Sequence, residues 1–378
     1  MEVYFDNSAT TKPYDEVIET MIDVMKNYYG NPSSAHSLGI RAEGKMNESR
    51  SLVANTLGGS KEEIVFTSGG SESNNFLIKG FIKEGGNIIT TKIEHPSILA
   101  LCKQLESEGI NITYLNIDHS GKIDLDELSR SINKDTQVVS IMHMNNEIGI
   151  VQDIEKIGKI IKEKSNKVKF HVDAVQSYGK YKIDVQKCGI DLLSASGHKI
   201  HGPRGIGIAY IRKGLTPKPL IFGGGQERSF RSGTENLAAM AGFSKAAEKI
   251  YKQMDENYKK VSEVKNYFVN KVKNIPDIRI NSIGEQYSPY VLSISFIGVR
   301  GEVLLHSLEE KQIYVSTGSA CSARGHKESH VLKAIGLKQK EIEGTIRFSF
   351  SEYNTKEEVD YVLENLNKSL KFLRRVSK

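Results

Sequence analysis

The sequence predicts an α/β protein of two domains, a large one with a mostly parallel sheet and a smaller α+β one, and two observations support this. Over residues 63–211, short apolar runs alternate with longer helical patterns, as expected for parallel strands buried between helices. From residue 243 onward, a long amphipathic helical stretch is followed by a mixture of strands and short helices. The length of 378 residues also suits two domains of ordinary size.

The expected sheet of the large domain is formed by apolar runs at residues 63–67, 87–90, 137–142, 168–172, 191–194 and 207–211. Helical periodicity between these runs predicts helices at residues 74–83, 98–108 and 154–164. Ligands of such folds bind at the carboxyl ends of the strands. Reactive side chains that directly follow a strand are therefore the first candidates for a site.

The second part of the chain is expected to connect the two domains and to form the smaller one. Residues 243–272 carry apolar side chains at intervals of three and four, which predicts one long amphipathic helix or two in series. Two strands are predicted at 290–296 and 344–349, and two helices at 302–309 and 329–335. The expected domain limits are 15–255 for the large domain, and 1–14 together with 256–378 for the small one.

Composition excludes several classes of protein. The chain has 52 Lys and Arg against 46 Asp and Glu, and this small excess does not by itself indicate a nucleic-acid-binding protein. It has no apolar run of about 18 residues and no basic-then-apolar N-terminus, so neither a membrane span nor a secretory signal is expected. Its cysteines, Cys102, Cys188 and Cys321, are too few for a disulfide framework and favour a reducing, cytoplasmic location.

Two charged residues follow predicted strands of the large sheet. Lys199 ends the small-residue turn SASGHK, where a lysine can form a Schiff base with an aldehyde cofactor, although the signal is weak by itself and a solvated loop lysine is the alternative. Asp173 follows the strand at 168–172, with Gln176 three residues later. A carboxylate there can keep the ring nitrogen of pyridoxal 5'-phosphate (PLP) protonated, or can simply cap a helix.

A glycine-rich turn and a histidine are the next candidates. The turn SGGS at 68–71 links a strand to a helix, and the amides of a helix N-terminus favour a phosphate. It matches neither the Walker A nor the dinucleotide-binding spacing, and it is also compatible with a plain tight turn. His95 directly precedes Pro96, which keeps it extended, so its imidazole could stack on a cofactor and move protons, or be structural.

Residues 316–326 form a loop of small residues that carries Cys321 beside Arg324 and His326. This setting favours an exposed, reactive thiolate, whereas Cys102 and Cys188 are interpreted as structural. The spacing of Cys321, His326 and His330 also permits a metal site, but no fourth ligand is evident and no bound metal is expected.

Arg347 lies between two apolar residues in the predicted strand at 344–349. A buried charge there requires a partner, because an unpaired charge in an apolar setting is costly. The partner is either a substrate carboxylate, held through two hydrogen bonds, or a structural carboxylate of the chain.

These segments, taken together, resemble the cysteine desulfurases of the NifS/IscS type, in the class V aminotransferase group of PLP enzymes. The resemblance extends over nearly the whole chain, favours the long-loop subgroup and implies the aspartate-aminotransferase-like fold of PLP-dependent transferases. It is carried by the ordered segments YFDNSATT (4–11), GNPSS (30–34), EHP (94–96), NNEIG (145–149), HVDAVQ (171–176), SGHK (196–199), RSGT (231–234), GSAC (318–321) and IRFS (346–349).

The resemblance implies a role for each candidate residue. Lys199 is expected to hold PLP as an internal aldimine, Asp173 to face the pyridinium nitrogen, Gln176 to bind the ring hydroxyl and His95 to stack on the ring and transfer protons. Cys321 is expected to be the nucleophile. The phosphate is expected to be bound by Gly70, Ser71, Ser196, His198 and, across a homodimer interface, Thr234. Asn146 and Arg347 are expected to bind the substrate carboxylate, and Asn146 is also expected to contact the cofactor.

The implied reaction removes sulfur from L-cysteine, gives L-alanine and leaves a persulfide on Cys321. The persulfide would pass to acceptor proteins for iron–sulfur cluster assembly or tRNA thiolation, with no membrane and no direct nucleic acid as partner. A selenocysteine lyase, another class V transaminase and a non-catalytic scaffold are the alternatives. Arg324 and Lys327 could lower the pKa of the Cys321 thiol or recognise an acidic acceptor, and the basic stretch at 368–378 is either a surface helix or a docking surface.

Overall fold

The computed structural model describes residues 1–317 and 328–376. The strands are β1 Val3–Tyr4, β2 Ile64–Thr67, β3 Asn87–Thr91, β4 Asn111–Leu115, β5 Thr136–Met142, β6 Lys169–Asp173, β7 Leu192–Ser196, β8 Gly207–Ile211, β9 Ile278–Ile280, β10 Val291–Phe296, β11 Ile313–Tyr314, β12 Ser316–Thr317 and β13 Thr345–Ser349. The helices are α1 Asp15–Asn27, α2 Ser37–Leu57, α3 Gly70–Lys79, α4 Pro96–Ser107, α5 Leu125–Ser131, α6 Ile154–Lys164, α7 Leu237–Lys252, α8 Met254–Val272, α9 Gly301–Glu309, α10 His330–Ala334, α11 Gln339–Glu343 and α12 Lys356–Val376.

The large sheet has the strand order β2-β8-β7-β6-β5-β3-β4, and its neighbours from β7 to β4 are parallel. Strand β8 runs antiparallel to both β2 and β7. This confirms the predicted mostly parallel sheet, including all of its predicted strands. The prediction misses β4, because this edge strand is largely half-exposed and gives no continuous apolar run.

Two helices of the large domain begin earlier than predicted, and both of these differences affect residues of the candidate site. Helix α3 begins at Gly70, inside the glycine-rich turn, and α4 begins at Pro96 with His95 as its N-cap. The ring of His95 and the amides of the turn therefore lie at the N-termini of helices that follow strands. Helices α1 and α2 lie in a region for which the sequence predicts no element, and both pack against α7.

The small sheet has the order β12-β13-β10-β9 and is antiparallel, while β1 and β11 form a parallel pair. The stretch 243–272 consists of two helices in series, α7 and α8. Phe243 of α7 is buried in the core under the large sheet, and Phe268 of α8 is buried in the core of the small sheet. The domain limits themselves stay a prediction.

The C-terminal helix α12 packs one apolar face, including Val359, Leu366 and Leu370, into the small core. Its Arg374 guanidinium donates to the carbonyl oxygens of Pro276, Asp277 and Ile297. This arrangement is that of the surface helix expected as the plainer interpretation of the basic stretch. No helix in the described part of the chain is long and apolar enough to cross a membrane.

Candidate active site

Lys199 lies at the carboxyl edge of the large sheet, in a short 3-10 turn that directly follows β7. Its ammonium donates to the carbonyl oxygens of Ser8 and Ala9, the latter at 2.9 Å. The N-terminal segment is bound to the same turn, because the Thr11 amide donates to the His198 carbonyl oxygen at 2.9 Å. A turn in the N-terminal segment therefore contacts the lysine that the sequence singles out.

Asp173 ends β6, the strand beside β7, and is fully buried. One carboxylate oxygen accepts the Val175 amide at 3.0 Å, which is the local turn contact expected of a helix-capping aspartate. The other accepts the side-chain amide of Asn74 at 2.9 Å. Asn74 belongs to α3, so the second contact fixes the carboxylate to a helix that packs on the sheet and is more than a local cap.

His95 is held in one tautomer by its own helix. The Ser97 amide donates to His95 Nδ1 at 3.1 Å, and because an amide can only donate, the proton of the neutral ring is on Nε2. Ser97 Oγ lies 2.8 Å from the same nitrogen and accepts from Asn74 Nδ2 at 3.0 Å. Burial lowers the pKa of His95, and the charge of Lys199 adds to that lowering against the opposing effect of Asp173.

The glycine-rich turn is closely packed beneath its backbone. A Cβ on Gly70 would lie 2.5 Å from Val175 Cγ2, and a Cβ on Gly207 would lie 2.6 Å from the Cα of Gly69. Gly69 has a φ of 154°, which favours glycine. The first turn of α3, with Gly70 and the exposed Ser71, presents amides without intrahelical partners beside Ser196, as a phosphate site requires.

His198 and Thr234 occupy different positions around this turn. The imidazole of His198 is partly buried, and burial, with the charges of Lys199 and Arg204, lowers its pKa to about 4, so the ring is neutral near pH 7. Thr234 is exposed and lines a cavity that also includes Ser68. The structure therefore brings Gly70, Ser71 and Ser196 together, and leaves Thr234 on the surface beside them.

Two buried polar atoms near Lys199 have no hydrogen-bond partner among the described residues. Gln176 Nε2 donates to the Ser8 carbonyl oxygen at 3.0 Å, whereas Gln176 Oε1 and Ser8 Oγ are unpartnered. Buried polar groups are normally paired, so these atoms indicate a polar ligand in this space. A lysine, a buried carboxylate, two orphaned polar atoms and a helix N-terminus form a donor set that fits PLP.

Arg347 lies in β13 of the small sheet, and its side chain is buried. Its guanidinium donates to Asp6 Oδ1 at 2.8 Å and to the Asn146 carbonyl oxygen at 3.0 Å. The structural salt bridge expected as the plainer interpretation is therefore present. Arg347 Nε is nevertheless buried without a partner among the described residues, which leaves one donor for a further anion. Asn146 contributes its backbone to this cluster.

Two residues of the site, Asn74 and Lys180, are missing from the sequence-based interpretation. Asn74 lies four residues after Gly70, on the same face of a helix, and that spacing could have revealed it. Lys180 gave no comparable signal: it is buried over the ring of Tyr290 at 5.3 Å. Burial, with the charge of Lys199, lowers the pKa of Lys180 to about 7.

Cys321, Arg324, His326 and Lys327 lie outside the described residues. The described residue His330 is engaged elsewhere, because its Nε2 lies 3.0 Å from the Glu94 carbonyl oxygen. Among residues 1–317 and 328–376, no group of three or more potential metal ligands is found. The metal alternative, which the sequence disfavours and which requires Cys321 and His326, is not tested by the described residues.

Comparisons with known proteins agree over the full length of the chain. The family model described as class V aminotransferase matches residues 3–362. The curated protein "Cysteine desulfurase IscS" of Dictyoglomus turgidum is 43% identical over 381 residues, covering 100% of this chain and 96% of that protein. A solved structure named "NIFS-LIKE PROTEIN" is 41% identical with a TM-score of 0.93, covering 98% of this chain and 100% of that one.

A third relative was solved with an amino acid bound. The structure titled "SspA in complex with cysteine" is 36% identical with a TM-score of 0.82, and the match covers 94% of this chain and 100% of that chain. Full-length agreement in sequence and fold confirms the PLP-dependent transferase fold that the resemblance implied. The chain belongs to the class V aminotransferase family, and within it to the cysteine desulfurases of the NifS/IscS type.

Proposed function

We propose that this PLP-dependent enzyme uses the site around Lys199 to convert L-cysteine to L-alanine and to leave a persulfide on Cys321. The observation that carries the proposal is the convergence of Lys199, Asp173 and His95 at one edge of the large sheet, opposite Arg347 of the small sheet. Full-length relatives named cysteine desulfurases favour this function over a selenocysteine lyase or a transaminase.

The cofactor-binding roles are assigned from the donor set. Lys199 would bind PLP covalently, Asp173 would face its ring nitrogen, and His95 would stack on the ring. Gln176 Oε1 and Ser8 Oγ, both unpartnered among the described residues, are the polar groups available to the ring substituents. The phosphate would be held by Gly70, Ser71, Ser196 and His198. When bound, PLP withdraws electrons from the substrate carbon that carries the amino group.

The substrate roles follow from charge and hydrogen bonding. The substrate carboxylate would bind Arg347, whose Nε is unpartnered among the described residues, with Asn146 beside it. His95 holds a proton on Nε2 that it can donate. The Cys321 thiolate would attack the substrate sulfur: an S–S bond forms, the C–S bond breaks, and the carbon skeleton takes up protons and leaves as L-alanine.

The residue roles are tested by locating the transferred sulfur. Holoenzyme is treated with L-cysteine without reductant, digested and analysed by mass spectrometry. The peptide with Cys321 is expected to gain the mass of one sulfur atom, and Cys321→Ser is expected to remove the product. Cys188→Ser is the matched control, because Cys188 is buried outside the site. Sulfur on Cys188 instead of Cys321 would refute the assignment.

We also propose that the enzyme is a homodimer in the cytoplasm. Three apolar side chains along α1 are strongly exposed, Ile18 at 44%, Ile22 at 43% and Met25 at 58%, and Phe222 is 81% exposed. A second copy covering these side chains would remove unfavourable apolar surface from water, and could bring the exposed Thr234 to the phosphate of its neighbour. Sedimentation of wild type as a monomer would contradict the dimer, and Phe222→Asp is expected to weaken it.

The sulfur acceptor is proposed to be a protein of iron–sulfur cluster assembly or tRNA thiolation, because full-length relatives carry the name IscS. Transfer of labelled sulfur from the Cys321 persulfide to purified acceptors of the two kinds would distinguish them.

A further inference from the structure

The first residues after the undescribed segment that carries Cys321 are firmly anchored. Ser329 is the N-cap of α10, and its hydroxyl oxygen accepts the Leu332 amide at 3.1 Å. The hydroxyl proton is donated to Glu147 Oε2. A serine needs only its oxygen to cap a helix, so the donated proton is a second interaction that capping does not require.

Glu147 is a buried carboxyl in the turn that holds the proposed substrate site. It directly follows Asn146, whose carbonyl oxygen accepts from Arg347 at 3.0 Å. Burial raises the pKa of Glu147 to about 7, and the Ser329 hydrogen bond and the charge of Arg347 oppose this rise. The Ser329 hydroxyl thus donates a hydrogen bond to a carboxyl group that would otherwise be buried with little compensation.

The same end of α10 also contacts the His95 segment. The neighbouring His330 bonds to the Glu94 carbonyl oxygen at 3.0 Å, and Val331 packs in a cluster with Ile93 and Ile148. On the other side of the undescribed segment, Ser316 of β12 pairs directly with Arg347 of β13. The described residues on both sides of the segment 318–327 therefore contact the proposed substrate site.

We propose that Glu147 and Ser329 are a positioning pair, which fixes the downstream end of the Cys321 segment to the turn of Asn146 and so aligns the thiolate with the substrate sulfur. The proposal rests on the proposed function. It concerns residues that touch neither substrate nor cofactor in the assigned roles. Their removal should therefore slow sulfur transfer more than it weakens substrate binding.

The test compares Ser329→Ala, Ser329→Thr, Glu147→Ala and the Glu147→Ala/Ser329→Ala double variant of the holoenzyme. Substrate binding is followed by the absorbance change of the cofactor with L-cysteine, and transfer by the single-turnover rate of persulfide formation on Cys321. Each alanine variant is expected to lower the transfer rate about tenfold, with half-saturation changed less than about threefold. Ser329→Thr should restore most of the rate, because it keeps the hydroxyl.

The double variant should lose no more than either single variant, because the two side chains act through one hydrogen bond. Ser307→Ala is the matched control: it removes a hydroxyl bonded to Ser369 Oγ at 2.8 Å in the small domain, and it should be unaffected. Single variants with wild-type transfer rates, or losses that multiply in the double variant, would overturn the proposal. A wild type that forms no persulfide would instead overturn the proposed function, and this pair with it.

Discussion

The two sides of the site are built in different ways. On the large-sheet side, Asp173 ends one strand, Lys199 lies in the turn after the neighbouring strand, and His95 caps a helix that follows a third strand. On the small-sheet side, Arg347 is joined to Asp6 and Asn146, which are distant from it in the sequence. Parallel strands place their carboxyl ends together, so one side follows from local sequence, whereas the other depends on how the domains meet.

Burial also acts oppositely on the two sides, because it penalises whichever form is charged. It lowers the pKa of His95 and takes that of His198 to about 4, so these bases are neutral near pH 7. It raises the pKa of Glu147, next to Asn146, to about 7. The large-sheet side therefore offers neutral rings around a lysine, and the small-sheet side borders a carboxyl group that is readily protonated.

The largest effect is expected on the large-sheet side. Lys199→Ala removes the only group assigned to bind the cofactor covalently, and alanine formation should fall by about 1,000-fold or more. The purified variant should also lack the wild-type absorbance band. Lys259→Ala, at an exposed position of α8, is the control and should keep both. Activity of Lys199→Ala near the wild-type level would contradict the assignment of Lys199 as the residue that binds the cofactor covalently.

The second largest effect is expected on the small-sheet side, from the substitution Arg347→Lys. Lysine keeps the charge but cannot form the paired hydrogen bonds of a guanidinium with a carboxylate. We expect kcat/KM for L-cysteine to fall on the order of 100-fold, mainly through KM, in steady-state assays. A fall in kcat at unchanged KM would contradict this role, because it would show that Arg347 acts only in the transition state and does not hold the carboxylate of the bound substrate.

A smaller effect is expected from Ser97→Ala. The variant loses the hydroxyl that contacts both His95 Nδ1 and Asn74, while the Ser97 amide still fixes the tautomer. We expect kcat to fall by a few-fold to about tenfold, with KM nearly constant, and Ser97→Thr to restore it. Equal activity of wild type and Ser97→Ala would show that the amide alone orients the ring.

The smallest expected effect concerns the pH dependence of stability. The pKa of Glu94 is raised from 4.5 to about 8, so its neutral form is favoured in the folded state. Its contribution is complete below about pH 4.5 and is lost as the pH rises toward 8. Glu94→Gln should therefore gain stability relative to wild type between pH 6 and pH 8, measured by denaturant unfolding of the holoenzyme. A constant difference across that range would contradict the assignment.

The sequence predicts much of the large-sheet side and little of the other. The apolar runs indicate β6 and β7, and with them the positions of Asp173 and Lys199, because side chains after a strand reach the ligand edge. The hydrogen bond of Arg347 with Asp6 joins residues 341 positions apart in the chain, and that of Ser329 with Glu147 joins residues 182 positions apart. No local pattern encodes such pairs, since they exist only once both cores have formed.

The most direct test of the account is to incubate the purified holoenzyme with L-cysteine and a reductant and to quantify L-alanine and sulfide together. Catalytic and equal amounts of both products are predicted, since each turnover breaks one C–S bond and the reductant would release the sulfur of the persulfide proposed on Cys321. Pyruvate in place of alanine, or alanine without sulfide, would contradict the account.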